Sequence, residues 1–215
     1  LVAKYLRRLE SKLVEAGVTA PLYLMQSSGG MTTLDNSVSR PIEIIECGPA
    51  AGVVGAAKLA LGHGVDDLIT FDMGGTTAKA SIVERGRFTR AAEYEVGGGI
   101  NRASRLLKGA GYVVRVASID IAEIGAGGGS VLTIDAGGAL RVGPQSAGAE
   151  PGPVAYNRGG VLPTVTDADV TLGYINPTHL CGGDYALDAE AARRALGLHI
   201  AEKLGASDLE AACGA

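Results

Sequence analysis

Apolar residues at Val2, Leu6, Leu9 and Leu13 recur at helical spacing, with Lys4, Arg7, Arg8, Lys12 and Glu15 opposite them. That pattern predicts an amphipathic helix, and Gly17 ends it. Residues 21–25 read as a strand that runs into the polar segment 26–33, and 41–46 reads as another short strand. From 50 to 61 the chain is a helix of small apolar residues, with Pro49 near its first position, where a missing N–H costs little. This helix leads to an apolar run ending in Asp72, then Gly74-Gly-Thr-Thr77, then alternating residues from 78 to 83. Two such runs around paired glycines predict a β-hairpin.

Beyond the hairpin, 91–96 is expected to be extended and to end in Gly97-Gly-Gly99. Residues 100–107 are expected to be a short helix or loop bearing Arg102 and Arg105, and 112–116 and 118–124 alternate like strands. The segment Gly125-Ala-Gly-Gly-Gly-Ser130 superficially matches a dinucleotide fingerprint, which needs a helix directly after it. Instead 131–135 and 139–142 flank Gly137-Gly138 as a second hairpin, so a Rossmann site is excluded. No G-x-x-x-x-G-K-[ST] motif is present either. Residues 143–163 are a Gly/Pro-rich loop, a length that in a compact domain usually serves function or is disordered. Thr166 with Asp169 approximates a capping box for a helix that ends before Asn176-Pro177. Asp188 caps 189–196, and Ser207 with Glu210 opens a last helix.

Composition narrows the class. The 215 residues suffice for one domain or one lobe of a larger protein, with ample core. Aromatic residues are 4% and Trp is absent, so the core is aliphatic. Glycine stands out at 33 residues, about twice ordinary usage. Glycine-rich motifs bring backbone close to a ligand or to other backbone. A net charge of −4 without a Lys/Arg run argues against nucleic acid as partner. Three separated cysteines form no disulfide framework or zinc spacing, which makes the reducing cytoplasm the default location. No run is apolar enough to span a membrane. The chain lacks an initiator Met and begins as if mid-helix, so it reads as a piece of a longer protein.

Candidate chemistry centres on the first hairpin. Side-chain-free Gly74 and Gly75 let backbone N–H groups approach an anion, and Thr76 and Thr77 add hydroxyl donors. Asp72, at a strand end, suits the hydration shell of Mg²⁺ or an attacking water; a turn cap is the plainer role. Gly127, Gly128, Gly129 and Ser130 form either a second ligand loop or a corner where strands pack closely. Asp167 and Asp169 can cap, coordinate or bind substrate. His63, His179 and His199 lack metal-site spacing, and Cys47 and Cys181 have no His neighbour in sequence. Arg102, Arg105, Arg141 and Arg158 either meet a substrate carboxylate or stand solvated.

Several blocks in one order carry a resemblance across the whole chain. They are Met25-Gln-Ser-Ser-Gly-Gly30, Cys47-Gly-Pro-Ala-Ala-Gly52, Phe71-Asp-Met-Gly-Gly-Thr76 and Ile124-Gly-Ala-Gly-Gly-Gly-Ser130. Val142-Gly-Pro-Gln-Ser-Ala-Gly-Ala-Glu-Pro-Gly-Pro153 and Pro163-Thr-Val-Thr-Asp-Ala168 complete the set. The chain resembles the hydantoinase A/5-oxoprolinase family. The helix, strand and D-x-G-G-T resemble the second phosphate loop of the actin, sugar kinase and chaperone ATPase superfamily.

The resemblance implies an α/β fold of ribonuclease-H/actin-like type, a mixed sheet flanked by helices with Gly-rich hairpins. It implies one domain over 1–215: a lead-in to 66, the phosphate loop and hairpins over 67–180, and helices over 181–215. The implied function is an ATP- and Mg²⁺-dependent amidohydrolase acting on cyclic amides of the hydantoin or 5-oxoproline type, with a second, hydantoinase B-like subunit. The site it implies has Asp72 as catalytic residue, Asp72 and Asp167 on the metal, and Gly74, Gly75, Thr76, Thr77, Gly127, Gly128, Gly129 and Ser130 on the nucleotide. A ketone carboxylase subunit is the neighbouring alternative, and a non-enzymatic actin-like nucleotide module the distant one. Lys79 departs from the family's usual Thr-Ser-Thr-Asp pattern by replacing an acid, and a lysine there can neutralise phosphate. The family's upstream phosphate loop and downstream adenine-binding block are absent from these residues.

Overall fold

The computed structural model describes residues 1–96 and 112–215, so Arg102 and Arg105 lie outside the described residues. The chain divides into two compact units. One comprises Leu1–Asp72 and Lys79–Glu123, the other Met73–Ala78 and Ile124–Ala215.

The first unit opens with α1 (Val2–Glu15), on which Leu6 is buried, and the chain leaves it through Gly17 at φ +84°. β1 (Tyr23–Met25) and β2 (Met31–Thr33) pair antiparallel, so part of the segment expected to be loop is a strand. Thr33 then caps α2 (Leu34–Ser39) by accepting from the Asn36 amide. The strand expected over 41–46 is instead a 3₁₀ turn, Pro41–Ile44. Pro41 sits in its first turn with φ preset for helical geometry, and the Glu43 carbonyl accepts from the Ser27 amide. Ser27 is fully buried; its carbonyl accepts from the Ile119 amide and its hydroxyl from the Glu46 amide. The Gln-Ser-Ser-Gly-Gly block is thus a structural knot.

α3 (Cys47–Gly62) buries Ala50, Val53 and Ala57, the i, i+3, i+7 face, against Val83 and Ile119. The small side chains let the helix lie close to the sheet. β3 (Leu68–Met73), β4 (Ala78–Glu84) and β5 (Arg87–Phe88) follow, with Arg85 and Gly86 both at positive φ in the β4–β5 turn. β6 (Arg90–Ala91), β7 (Tyr94–Val96), β8 (Tyr112–Val114), β9 (Ser118–Ile119) and β10 (Ala122–Ile124) are short, and β6 pairs β9 while β7 pairs β8. The two strands expected over 112–124 are three pieces. β4 is central to its sheet, between β10 and β3.

In the second unit β11 (Ser130–Ile134) and β12 (Leu140–Ser146) form the expected hairpin, so no helix follows the glycine loop. Asp135 closes its turn, accepting from the Gly137 and Ala139 amides and from Arg141. The Ala139 amide, then Arg141, hold its carboxyl below the usual range. α4 (Val165–Leu172) and α5 (Ala189–Leu196) come next. A π-helical stretch, Gly197–Ala201, links α5 to α6 (Glu202–Leu204), and α7 (Asp208–Cys213) ends the unit. Leu132, Ala168, Leu196, Ile200, Ala201, Ala211 and Ala212 make its core. The caps expected from Asp188 and from Ser207 with Glu210 are present.

At α4 the capping box lies two residues earlier than expected, at Thr164 and Asp167. Thr166 cannot serve, because its hydroxyl donates to the Gly128 carbonyl. Asp169 falls inside the helix, and burial pushes its carboxyl above the usual range. The fold is therefore mixed α/β, with strands spread over five small sheets among the described residues.

Because the folded Asp169 holds its proton more tightly than the unfolded one, its contribution to stability is full below pH 3.8 and is lost as pH rises through the folded pKa. Asp169→Asn should therefore stabilise at neutral pH, with a gain that disappears below pH 3.8. Urea unfolding across pH checks this, and a loss of stability at neutral pH would refute it.

Candidate functional site

The Met73–Ala78 turn and the glycine loop 127–130 meet inside the second unit. The turn closes on itself where the Gly74 amide donates to the Thr77 carbonyl, 2.9 Å. The loop supports it from behind. The Gly128 amide donates to the Gly74 carbonyl at 2.9 Å, and the Gly129 amide to the Gly75 carbonyl at 2.8 Å. These bonds require near contact of the two backbones. A Cβ on Gly127 would stand 2.6 Å from the Gly74 oxygen and 2.7 Å from the Thr76 and Thr77 nitrogens. One on Gly129 would stand 2.9 Å from the Gly75 oxygen.

The loop is itself tied down. The Gly127 amide donates to Ser130 Oγ, and the Ser130 amide to the Gly127 carbonyl, each at 2.9 Å. The Gly128 carbonyl accepts from both the amide and the hydroxyl of Thr166, each at 2.8 Å. Thr166 is the second residue of α4, so the loop carbonyl satisfies a helix N–H that has no partner within the helix. Asp167 locks this end of α4. Its Oδ2 accepts from the Thr164 amide and hydroxyl, both 2.8 Å, and from the Val154 amide, 3.2 Å. Its Oδ1 accepts from the Ala155 amide at 2.7 Å.

Two assignments change. Asp167 is fully buried with four donors on its carboxylate, so it is a structural cap, and the metal role expected for it has no support in the geometry. Gly127, Gly129 and Ser130 are buried and Gly128 half-buried, occupied with turn and helix. They buttress a site rather than line one; the close-packed corner is the role the geometry supports.

Gly74, Gly75 and Thr76 are exposed and Thr77 is half-buried. Among the described residues the Gly75 and Thr76 amides have no acceptor, which leaves two consecutive N–H donors for an incoming anion. A Cβ on Gly75 would meet nothing within 4 Å, and its φ is not positive, so this glycine matters for open space rather than strain.

Asp72 ends the first unit's share of β3, exposed, one residue before the turn begins. Its Oδ2 leans over α3, 3.9 Å from where a Cβ on Gly52 would be. Lys79, in the same unit, sits 3.1 Å from the Glu123 carboxylate, both largely buried, so its charge is matched within the sheet. Among the described residues no group of three His, Cys, Asp or Glu is placed to hold a metal. Arg141 holds Asp135, and Arg158 lies over the Tyr185 ring at 5.1 Å. Sequence reasoning missed Thr166 as the anchor of the loop and Thr164 as the cap that pairs with Asp167. Both lie in the Pro163-Thr-Val-Thr-Asp block, so the signal was the doubled threonine before a helix.

A mixed α/β chain that fixes a bare glycine turn from behind, backbone to backbone, defines a domain suited to holding an oxyanion. The full chain, residues 1–215, matches the hydantoinase/oxoprolinase family model, and the protein belongs to that family. It is 45% identical over 214 residues to an uncharacterized protein of Methanocaldococcus jannaschii, covering all of this chain and 31% of that one. It is 37% identical over 214 residues to the caprolactamase subunit alpha of Pseudomonas jessenii, covering all of this chain and 29% of the relative. Among solved structures, nucleotide-free acetone carboxylase superposes with TM-score 0.72 at 26% identity over 99% of this chain and 28% of that chain. The ATP-dependent caprolactamase of Pseudomonas jessenii gives 0.67 at 38% identity, over 98% and 29%. The chain thus spans about a third of the length of these relatives.

Gly127→Ala should force the turn or loop to shift and cost about 1–3 kcal/mol of stability. Gly125→Ala, where a Cβ meets nothing within 4 Å, should stay within about 0.5 kcal/mol. Equal losses in chemical unfolding would show that the close approach is not what holds the loop.

Proposed function

We propose that this chain is the phosphate-holding part of an ATP-dependent enzyme, and that the whole enzyme opens cyclic amides. The observation that carries the reading is the pair of amides at Gly75 and Thr76, unpartnered among the described residues, on a turn whose Gly74 and Gly75 carbonyls are held from behind. The residues fit a phosphate. They offer two consecutive backbone donors, and a Cβ on Gly75 would meet nothing within 4 Å. Family membership and the likeness to a caprolactamase described as ATP-dependent support ATP as the source of that phosphate.

When bound, ATP supplies the phosphoryl group that makes an amide oxygen a leaving group before water opens the ring. The chain's own residues position and stabilise. The Gly75 and Thr76 amides donate to phosphate oxygens, and the Thr76 hydroxyl is a further exposed donor beside them. Asp72 is assigned to a hydrated Mg²⁺ or to the attacking water; Mg²⁺ keeps several waters and needs only one or two carboxylates. Lys79 has no part in this, because Glu123 already matches its charge. We read the α3–β3–β4 arrangement as part of an actin-like ATPase lobe.

The substrate class follows from the caprolactamase likeness, at 37% identity over the whole chain. A partner subunit is part of the proposal, because that relative is itself a subunit alpha. Among the described residues no helix is long and apolar enough to cross a membrane, and a cytoplasmic location accords with the reading. The superposition on acetone carboxylase, with the higher TM-score, favours a ketone carboxylase as second reading. The product separates the two: a ring-opened amino acid or a carboxylated ketone.

Asp72→Asn keeps size and one acceptor but removes the charge. In the full-length enzyme kcat should fall about a hundredfold or more while ATP binding weakens less. A residue that merely caps a turn would cost about 1 kcal/mol of stability and leave turnover intact. Steady-state kinetics and melting temperature on the same variant decide, and full kcat in a stable protein removes Asp72 from the mechanism.

A further inference from the structure

We infer that Thr166 is a positioning residue for the glycine turn, acting through the Gly128 peptide. The inference rests on the reading of that turn as a phosphate site. Thr166 is 8% exposed and spends both its amide and its hydroxyl on one acceptor, the Gly128 carbonyl, at 2.8 Å each. The Gly128 amide donates onward to the Gly74 carbonyl, and the adjacent Gly129 amide to the Gly75 carbonyl. Three short steps therefore link the α4 side chain to the backbone that carries the two free donors.

Any residue at this position supplies the amide. Only a hydroxyl supplies the second bond, and two donors fix the carbonyl in direction as well as distance. Consecutive hydrogen bonds through one peptide also polarise each other. The fit has no slack, because a Cβ on Gly128 would stand 2.7 Å from Thr166 Oγ1. Nor can Thr166 drift. The Thr164–Asp167 box on either side of it is held by the Val154 and Ala155 amides. A threonine that served only as a helix-start residue would need none of these onward bonds.

The test uses the full-length enzyme with ATP as the probe. Thr166→Val keeps the shape and removes the hydroxyl. It should raise KM and Kd for ATP about tenfold, the weight of one buried hydrogen bond, with kcat changed less. Thr166→Ser should restore ATP affinity to within about twofold of wild type. Thr166→Ala removes the hydroxyl without adding a methyl against the carbonyl, and should match the valine variant if that one folds poorly. A drop in melting temperature with unchanged ATP affinity in both hydroxyl-free variants would overturn the inference. Gly75→Val separates the two levels, since a Cβ there meets nothing within 4 Å and an incoming anion would lose its place. If Gly75→Val weakens ATP binding while the Thr166 variants do not, Thr166 is structural and the turn keeps its role. If Gly75→Val leaves affinity unchanged, the phosphate reading falls and the inference with it.

Discussion

Backbone can run against backbone at hydrogen-bond distance only where no Cβ stands between, and the second unit is built around that constraint. The glycine loop gives its amides to the carbonyls of the hairpin turn, while the carbonyl of its second glycine, Gly128, is taken by the start of α4. The Gly74 and Gly75 carbonyls thus face the loop, and among the described residues the Gly75 and Thr76 amides have no acceptor. A loop of ordinary residues could not reach these carbonyls, and the turn would lose its rear support. The glycine excess at this place is the material needed for close approach, since none of the three loop glycines has a positive φ.

The contact is rigid because of what lies behind it. The Asp167 carboxyl is fully buried with no cationic partner among the described residues, a placement that costs several kcal/mol unless hydrogen bonds replace the lost water. Four donors do so, three of them backbone amides from two separate stretches of chain. One carboxylate therefore holds the long Gly/Pro segment onto the first turn of α4, near that helix's positive end. Thr166 passes the placement on to the glycine loop. The turn is thus held through backbone bonds, with few exposed side chains involved.

In the first unit the same economy of side chains appears in a different form. α3 buries Ala50, Val53 and Ala57, and Ser27, fully buried, joins separate segments through its amide, carbonyl and hydroxyl. Lys79 and Glu123 show why a departure from family pattern need not alter chemistry. The two charges sit on neighbouring strands β4 and β10 and satisfy one another away from bulk water. The chain belongs to the hydantoinase/oxoprolinase family, and its turn presents two amides open to an anion.

The amino-acid sequence by itself determined the elements whose causes are local. α1, α3, both glycine hairpins and the caps at Asp188 and Ser207 follow from periodicity, paired glycines and side chains that bond three residues away. The glycine turn between β3 and β4 was likewise legible, because paired glycines between two extended runs mark a tight turn. Tertiary structure decided what depends on distant partners. Residues 41–46 turn as a 3₁₀ segment rather than a strand, with Pro41 in the first turn and the Glu43 carbonyl joined to Ser27. The α4 cap falls at Thr164 and Asp167 because Thr166 is claimed by a carbonyl 38 residues earlier in the chain. The buttressing role of the glycine loop was hidden for the same reason. A glycine run looks alike whether it faces a ligand or a backbone, and only the fold brings the turn within 3 Å of it.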